Sequence, residues 1–460
     1  MSTTSPSHPV PAPTSLGYEV KRTLWLAGPL IVGQLTNFGM NFVDTVMAGR
    51  LGTIDLGAIA VGSSVWAAGF LFVLGILLAV SAAVSRLDGA GETDKVGEFV
   101  RQALWLGLVL ALGLWAYARS GGWVMRMMEV EPAVSTVAMA YLKAISWGAP
   151  ALVGMLVLRF FSEGTGKTGP TMYVGVLGIL CNIPLNAVLM FGLLGFPKMG
   201  AVGAGWATTI VFWLQFMAMA LWVIYRPHYQ PYALMRRFSW PDRREIIALV
   251  RLGLPIGIMV FLEGGLFVAS ALLIGTLGAV QVAAHQVAMN YAGLVFMVPV
   301  GLAGAITVRV GNALGREDPM GARRAGRIGI GMAMCFAFLS AGVILAFPET
   351  IVSLYTQEAE VFELAVSLLF FAALFQLADG LQVAAAGALR GYKDTKRPMI
   401  YSVIAYWLVG MSLGAYLTFS QGMGPKGMWM GIIAGLTVAA VLLGGRFVRL
   451  SQPAPIHTSH

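Results

Sequence analysis

The chain has 460 residues, of which 58% are hydrophobic and only 11% are charged, and its mean hydropathy is +0.78. Soluble domains carry roughly a quarter charged residues and bury at most about three quarters of their surface. The composition therefore excludes a soluble enzyme, a nucleic-acid-binding protein and a disordered chain, and indicates a polytopic membrane protein. In that class a net charge of +9 indicates loops that face anionic lipid.

Uncharged stretches follow one another along the chain, and about 20 apolar residues in a helix are enough to span a bilayer. They predict twelve transmembrane helices, at 23–43, 56–85, 102–118, 144–158, 168–197, 199–225, 252–275, 278–308, 328–348, 364–389, 398–425 and 427–445. The stretches are continuously hydrophobic, whereas the strands of a membrane barrel would alternate. The sequence therefore predicts an all-α fold.

The basic residues are distributed unevenly between the two sides of the predicted bundle. Of the 30 Lys and Arg residues, 24 lie on the side of the N-terminus and five on the other, and Lys143 remains within the fourth span. Cytoplasmic loops are enriched in Lys and Arg, so both termini should be cytoplasmic, which requires an even number of spans.

A basic connection at 226–250 divides the chain in the middle. From Pro241 it resembles an amphipathic helix that lies on the inner leaflet, with Trp240 as its anchor. The predicted organisation is a disordered tail (1–20), an N-lobe of six helices (21–225), a cytoplasmic linker (226–250), a C-lobe of six helices (251–450) and a second disordered tail (451–460).

The two halves of the sequence resemble each other at a shift of 226 residues. Pro29 aligns with Pro255, and Gly49 and Gly52 align with Gly275 and Gly278. Several glycine and proline matches in one register predict two six-helix bundles in the same orientation. Repeats of this kind are typical of transporters, whose site lies at or between the repeats, although an old duplication without alternating access is the alternative.

Three acidic residues lie where the membrane should be: Asp44, Glu263 and Asp379. An ionisable group in hydrocarbon costs several kcal/mol, so each one is a candidate site. The shift of 226 aligns Glu263 with Asn37 and Asp44 with Ser270, so the two halves should differ in chemistry. Polar residues at helical spacing accompany the acids and could support them: Gln34, Asn37, Asn41, Asn182, Asn186, Gln286, Asn290, Gln376 and Gln382.

A carboxylate in apolar surroundings can hold a proton, bind Na⁺ or pair with a cationic substrate, and competition among these states is a physical basis for exchange. Glu263 and Asp379 are the candidate Na⁺ ligands. Two alternatives remain open. Lys143 could neutralise an acid in a static pair, and the polar residues could form a network that only holds helices together. His285 is expected to be a hydrogen-bonded structural residue.

No motif in the sequence predicts enzymatic chemistry or a bound cofactor. The segment from Gly164 to Thr168 resembles the end of a phosphate-binding loop, but Phe161 replaces the required first glycine and a membrane helix precedes it. An ATP site is therefore not expected, and the only small cofactor would be the coupling ion, Na⁺ or H⁺.

Several segments resemble the multidrug and toxic compound extrusion (MATE) family, in its NorM-type bacterial branch. They are 41–49 with Asp44, 261–263 with Glu263, 377–379 with Asp379, 283–288 and 389–394, and the similarity extends from about Tyr18 to Leu450. The resemblance implies two six-helix lobes around a central cleft in the bacterial inner membrane. It also implies export of organic cations, such as dyes and fluoroquinolones, in exchange for Na⁺ or H⁺, and we expect the protein to be a monomer.

By position, the resemblance makes Asp44 the acid of the first lobe, with Asn182 and Asn186 as its partners in the fifth helix. It makes Glu263 and Asp379 the cation-binding acids of the second lobe. The alternative function is a flippase for a lipid-linked glycan precursor. That function would favour a basic cleft for phosphate, whereas the deep charges of this chain are mainly acidic.

Overall fold

The structure is a computed structural model that describes residues 15–234 and 236–452, and all regular elements in these ranges are helices. The long helices are α1 (Leu16–Gly49), α2 (Thr53–Gly89), α3 (Thr93–Ser120), α4 (Pro132–Ser146 and Ala149–Gly164), α5 (Gly169–Phe191), α6 (Gly200–Tyr225), α7 (Arg243–Gly275), α8 (Ala279–Gly315), α9 (Pro319–Ala346), α10 (Ala359–Gly391), α11 (Lys396–Ser420) and α12 (Pro425–Leu450). Three short helices lie between them, at Gly122–Met127, Pro227–Tyr232 and Pro348–Ser353.

The described helices confirm the predicted all-α membrane fold. Ten of them are long and apolar enough to span a bilayer, and α4, whose two parts meet at a 49° bend, would be an eleventh. The twelfth long helix, α1, is less apolar because it contains the polar residues Gln34, Asn37, Asn41 and Asp44. This set agrees with the twelve predicted spans.

Two predicted boundaries differ from the structure. Helix α1 begins at Leu16, where the Ser15 side chain caps it by accepting a hydrogen bond from the Tyr18 N–H, so part of the predicted N-terminal tail is helical. The rest of that tail, and most of the C-terminal one, lie outside the described residues. The predicted amphipathic helix after Pro241 is the beginning of α7, which Asp242 caps and which continues without a break to Gly275.

The connection between α6 and α7 is bound to α3. The Arg101 Nε donates to the Ser239 Oγ at 2.8 Å, and the Trp105 Nε1 donates to the Ser239 carbonyl at 3.0 Å. The Gln102 side chain donates to the Trp240 carbonyl at 3.0 Å and accepts from the Asp242 N–H at 2.8 Å. The predicted linker is therefore fixed to the first half of the chain by these hydrogen bonds.

The two halves meet through α1 against α8 and through α2 against α7. We call the end of the bundle where α1 begins and α12 ends the basic end. Helices α2 and α7 approach closely near the middle of each helix, since a Cβ atom on Gly75 would lie 2.6 Å from the Gly257 Cα. In the other seam, the buried Arg309 of α8 donates hydrogen bonds to Glu19 and Thr23 of α1.

Asp88, at the end of α2, joins both halves and the connection. Its carboxylate accepts from the Tyr232 O–H at 2.5 Å and from the Asn312 Nδ2 at 3.3 Å. Burial raises the pKa of Tyr232, and the hydrogen bond to Asp88 raises it further, so the phenol keeps its proton and remains the donor.

Contacts between the halves extend from the basic end to Phe38 beside Gly293 and Leu71 beside Gly264. Beyond that level α1 exposes Phe42 and Val46, at 62% and 43%. The described contacts therefore close the basic end of the bundle, and the candidate acid Asp44 lies beyond them.

Candidate functional site

The first candidate site is formed by α1 and α5. Asp44 is half-buried, and its Oδ1 accepts from the Asn186 Nδ2 at 2.5 Å and from the Asn182 Nδ2 at 3.2 Å. The Asn186 Nδ2 also donates to the Asn182 Oδ1 at 3.1 Å, which fixes both amides in one orientation. Pro184 lies between the two asparagines and removes a helical hydrogen bond from α5. The structure thus brings together the three residues that the sequence predicts for the N-lobe.

Asn37 lies two helical turns before Asp44 in α1, toward the basic end, and lines a small cavity inside the same lobe. Arg159 and Gln215 also line this cavity. Arg159 is buried and pairs with Glu163 at 2.6 Å, and the Thr171 hydroxyl donates to the same carboxylate at 2.8 Å. This pair was not predicted from the sequence. Its signal is a basic and an acidic residue four apart in the apolar helix α4, a spacing that favours pairing.

The second candidate site lies in the other half, between α7, α10 and α11. The Gln382 Nε2 donates to the Glu263 Oε1 at 2.7 Å and to the Asp379 Oδ1 at 3.3 Å. The Tyr406 O–H donates to the Gln382 Oε1 at 2.9 Å, so the amide nitrogen must point toward the acids. Asp379 is 2% exposed, whereas Glu263 is half-buried. The two predicted acids therefore share one amide donor.

Helix α11 explains how Tyr406 reaches this site. Residues Val403–Met411 form π-helical turns, which are rare and are frequent at functional sites. The next residue, Trp407, donates from its Nε1 to the Leu262 carbonyl at 3.2 Å, which ties α11 to α7 beside Glu263. Sequence reasoning missed Tyr406 because a π-helical register cannot be recognised in a uniformly apolar segment.

The remaining predicted polar residues do not all join the acids. Gln376 is buried beside Asp379, and Gln34 is half-buried in α1. Gln286 and Asn290 are exposed on α8, and no described hydrogen bond joins either of them to Asp44, Glu263 or Asp379. Asn41 is also exposed.

His285 has the structural role that was expected, because its Nδ1 accepts from the Trp429 Nε1 at 3.2 Å inside the lobe.

The alternative of a static pair with Lys143 is not supported by the structure. Lys143 is exposed, and none of the ion pairs in the described ranges includes it. Arg390 lies farther along α10, where its positive charge favours the ionised form of Glu263, but no described ion pair joins it to Glu263 or Asp379. Asp44, Glu263 and Asp379 are therefore neither fully exposed nor in a described ion pair with a basic residue.

The MatE family model matches this chain at residues 29–188 and again at residues 255–416. The two matches begin 226 residues apart, which is the shift of the internal repeat. The chain is 44% identical over 456 residues to "Multidrug resistance protein PmpM" from Pseudomonas aeruginosa, covering 97% of this chain and 95% of that protein. It is 40% identical over 438 residues to "Multidrug resistance protein NorM" from Aliivibrio fischeri, covering 94% and 95%.

Two solved structures have the same fold. One is a eukaryotic MATE transporter, AtDTX14, which superimposes with a TM-score of 0.87 at 22% identity and covers 94% of this chain and 96% of its own. The other is the outward-facing conformation of a multidrug resistance MATE family transporter of the MOP superfamily, with a TM-score of 0.84 at 22% identity and 94% and 96% coverage. At this identity the two structures establish the fold alone.

Proposed function

Because the chain belongs to the MatE family, we propose that it is a secondary active antiporter that exports drugs and other organic cations in exchange for Na⁺ or H⁺. The observation that carries this proposal is the similarity, over nearly the whole chain, to a protein named for multidrug resistance. The names of the relatives give no support to the alternative of a glycan-precursor flippase, and neither do the acidic groups at the two candidate sites.

We assign the exchange to the buried acids. Glu263 and Asp379 bind a cation from the coupling gradient or from the cargo, and Asp44 is a second cationic site in the other lobe. The geometry supports this assignment because Glu263 and Asp379 share a single amide donor, Gln382, which leaves carboxylate oxygens available to a cation. One charge that moves through 100 mV releases about 2.3 kcal/mol, which is enough to drive nearly two decades of accumulation.

We place the protein in the bacterial inner membrane as a monomer, with its basic end and both termini in the cytoplasm. The bias of Lys and Arg toward that end supports the orientation. In this orientation, closure of the basic end by Arg309 with Glu19 and by Asp88 with Asn312 is the state in which the acids face outward. Return to an inward-facing state then requires these contacts to separate.

The test is ethidium export by the full chain in proteoliposomes, with Na⁺ and pH gradients imposed independently. We expect one of the two gradients to drive accumulation of ethidium against its concentration, and the Asp379→Asn variant to lose most of this activity. Substitution of Gln230, which is exposed on the connection, by Leu is the matched control and should not affect export. Equal ethidium movement with and without any gradient would contradict antiport.

A further inference from the structure

The beginning of α7 packs against the rest of the protein with one face only. Leu249, Gly253 and Ile256 are buried on this face. A Cβ atom on Gly253 would lie 2.4 Å from the Ile76 carbonyl oxygen of α2, so the two backbones are in direct contact there. The opposite face of the helix is therefore turned away from the protein.

Two arginines and two aliphatic residues alternate along this opposite face. We call them the arginine row, which consists of Arg244, Ile247, Arg251 and Leu254. They are separated by three, four and three residues, a spacing that aligns side chains along one face of a helix. All four are exposed, Ile247 and Leu254 at 38% each. Residues 252–262 are uncharged, so Arg251 lies where α7 enters the apolar layer of the membrane.

The two arginines of the row have no acidic partner in the described parts of the chain. None of the ion pairs there includes Arg244 or Arg251. Of the acids nearby, Asp242 accepts the Arg244 backbone N–H as the cap of the helix. Glu245 is the next residue after Arg244, and consecutive side chains of a helix point about 100° apart. The row therefore presents two unbalanced positive charges to the lipid.

The connection before α7 adds an aromatic group at the same level. Trp240 is 77% exposed, and the Phe238 ring contacts it edge to face at 5.2 Å between centroids. Gln102 of α3 fixes the backbone through its hydrogen bonds to the Trp240 carbonyl and the Asp242 N–H. The uncharged part of α3 also begins at Gln102. Since tryptophan prefers the level of the lipid headgroups, Trp240 and the row lie at the boundary between headgroups and hydrocarbon.

We propose that the arginine row binds one anionic phospholipid of the leaflet at the basic end. Arg244 and Arg251 hold its phosphate, and its acyl chains follow Leu254. The two arginines are about 10 Å apart along the helix, a separation that two long side chains can bridge around one phosphate. The guanidinium group binds phosphate through two hydrogen bonds at once. A lipid fits better than a soluble phosphate compound, because exposed apolar residues continue the row into the membrane.

This inference goes beyond the proposed function, since it names a partner that is not transported. The composition of the segment predicts only that it contacts the inner leaflet, whereas the structure defines a row with a fixed aromatic neighbour. The bound lipid contacts Trp240, which is fixed to α3 of the first half, and Arg251, which belongs to the second half. It therefore joins the halves at the basic end, and a ligand that binds only the folded protein stabilises it.

Thermal unfolding of the purified full chain in a neutral detergent tests the site. We expect added phosphatidylglycerol to raise the Tm of the wild type more than phosphatidylcholine with the same acyl chains does. Arg251→Gln should weaken the apparent affinity for phosphatidylglycerol about fivefold. The double variant Arg244→Gln/Arg251→Gln should lose the preference for phosphatidylglycerol. Arg397→Gln removes an exposed charge at the beginning of α11, near the same end, and is the matched control.

Each variant is compared with itself in phosphatidylcholine, so that a general loss of stability cancels. The inference is overturned if the two lipids raise the Tm of the wild type equally, or if the double variant keeps the preference. It is also overturned if Arg397→Gln weakens the affinity as much as Arg251→Gln, because the attraction would then depend on net charge alone. Glycerophosphoglycerol, the headgroup without acyl chains, should give no rise. An equal rise with this probe would indicate a site for soluble phosphate compounds instead of a lipid.

Discussion

The two lobes are related by the internal repeat but differ in how many hydrogen-bond donors their acids have. In the N-lobe one half-buried carboxylate, Asp44, has two amide donors that fix each other. In the C-lobe two carboxylates, Glu263 and Asp379, share the single amide of Gln382, and Asp379 is almost completely buried. The ratio of donors to acids is thus reversed between the lobes.

This difference indicates which lobe depends more on a bound cation. Hydrogen bonds to a charged group are stronger than those to a neutral group, so the two amides at Asp44 replace much of the lost hydration. The C-lobe acids have one shared donor, and their mutual repulsion is relieved only by a positive charge. We therefore expect export to require a cation bound in the C-lobe. The N-lobe should affect only the affinity for the organic cation.

The largest effect should follow Asp379→Asn. The substitution keeps the size of the side chain and removes the charge that a cation must balance. Loss of a charged interaction costs about 1.5–3 kcal/mol, so gradient-driven ethidium export should fall by about tenfold to a hundredfold. Export is measured in proteoliposomes at matched protein density, and Asp379→Glu is the control that restores the charge. Near-normal export by Asp379→Asn would remove the asymmetry between the lobes.

A smaller effect is expected for Asp44→Asn. The new amide can still accept from Asn182 and Asn186 through its oxygen, and water already reaches the half-buried position. The lost charge should cost about 1 kcal/mol, which corresponds to about a fivefold loss. We expect the apparent KM for ethidium to rise about fivefold, whereas the maximal rate of export should not change. A loss as large as that of Asp379→Asn would mean that both lobes require a bound cation equally.

Most of the fold could be predicted from the sequence because long, continuously apolar segments identify membrane helices. The helix count, the repeat at 226 residues and the acids Asp44, Glu263 and Asp379 came from local patterns. A helix after Pro241 was predicted, but its continuation into the seventh span was not, because a charged segment can continue a membrane helix into water without any change in periodicity.

The partners of the acids were harder to predict than the acids. Asn182 and Asn186 stand four apart and could be assigned, but Tyr406 depends on π-helical turns and on packing between α10 and α11. Gln286 and Asn290 have the same spacing of four and are exposed. Spacing therefore defines a face of a helix, whereas the direction in which that face points depends on tertiary contacts.

Asn186→Leu should have a still smaller effect than Asp44→Asn. It removes the 2.5 Å hydrogen bond to Asp44 but keeps the charge and the donor on Asn182. Water can replace the lost donor at the half-buried carboxylate, so we expect the lower end of the net value of a hydrogen bond, about 0.5 kcal/mol, and a twofold to threefold rise in the KM for ethidium. The exposed Asn290→Leu is the matched control. If Asn186→Leu exceeds Asp44→Asn, the amides rather than the acid determine binding in the N-lobe.

The smallest effect is expected for Lys143→Gln, which should leave export and its dependence on the gradient unchanged. Lys143 is exposed and forms no described ion pair, so its loss leaves no buried acid without a partner.

Arg390 differs from Lys143 because its positive charge lies within the C-lobe and interacts with Glu263. Arg390→Gln should increase the attraction of the C-lobe for cations and lower the apparent KM for ethidium. An equal change in the apparent KM for ethidium after both substitutions would show that transport depends only on the total charge of the protein. The different numbers of amide donors in the two lobes would then have no consequence for transport.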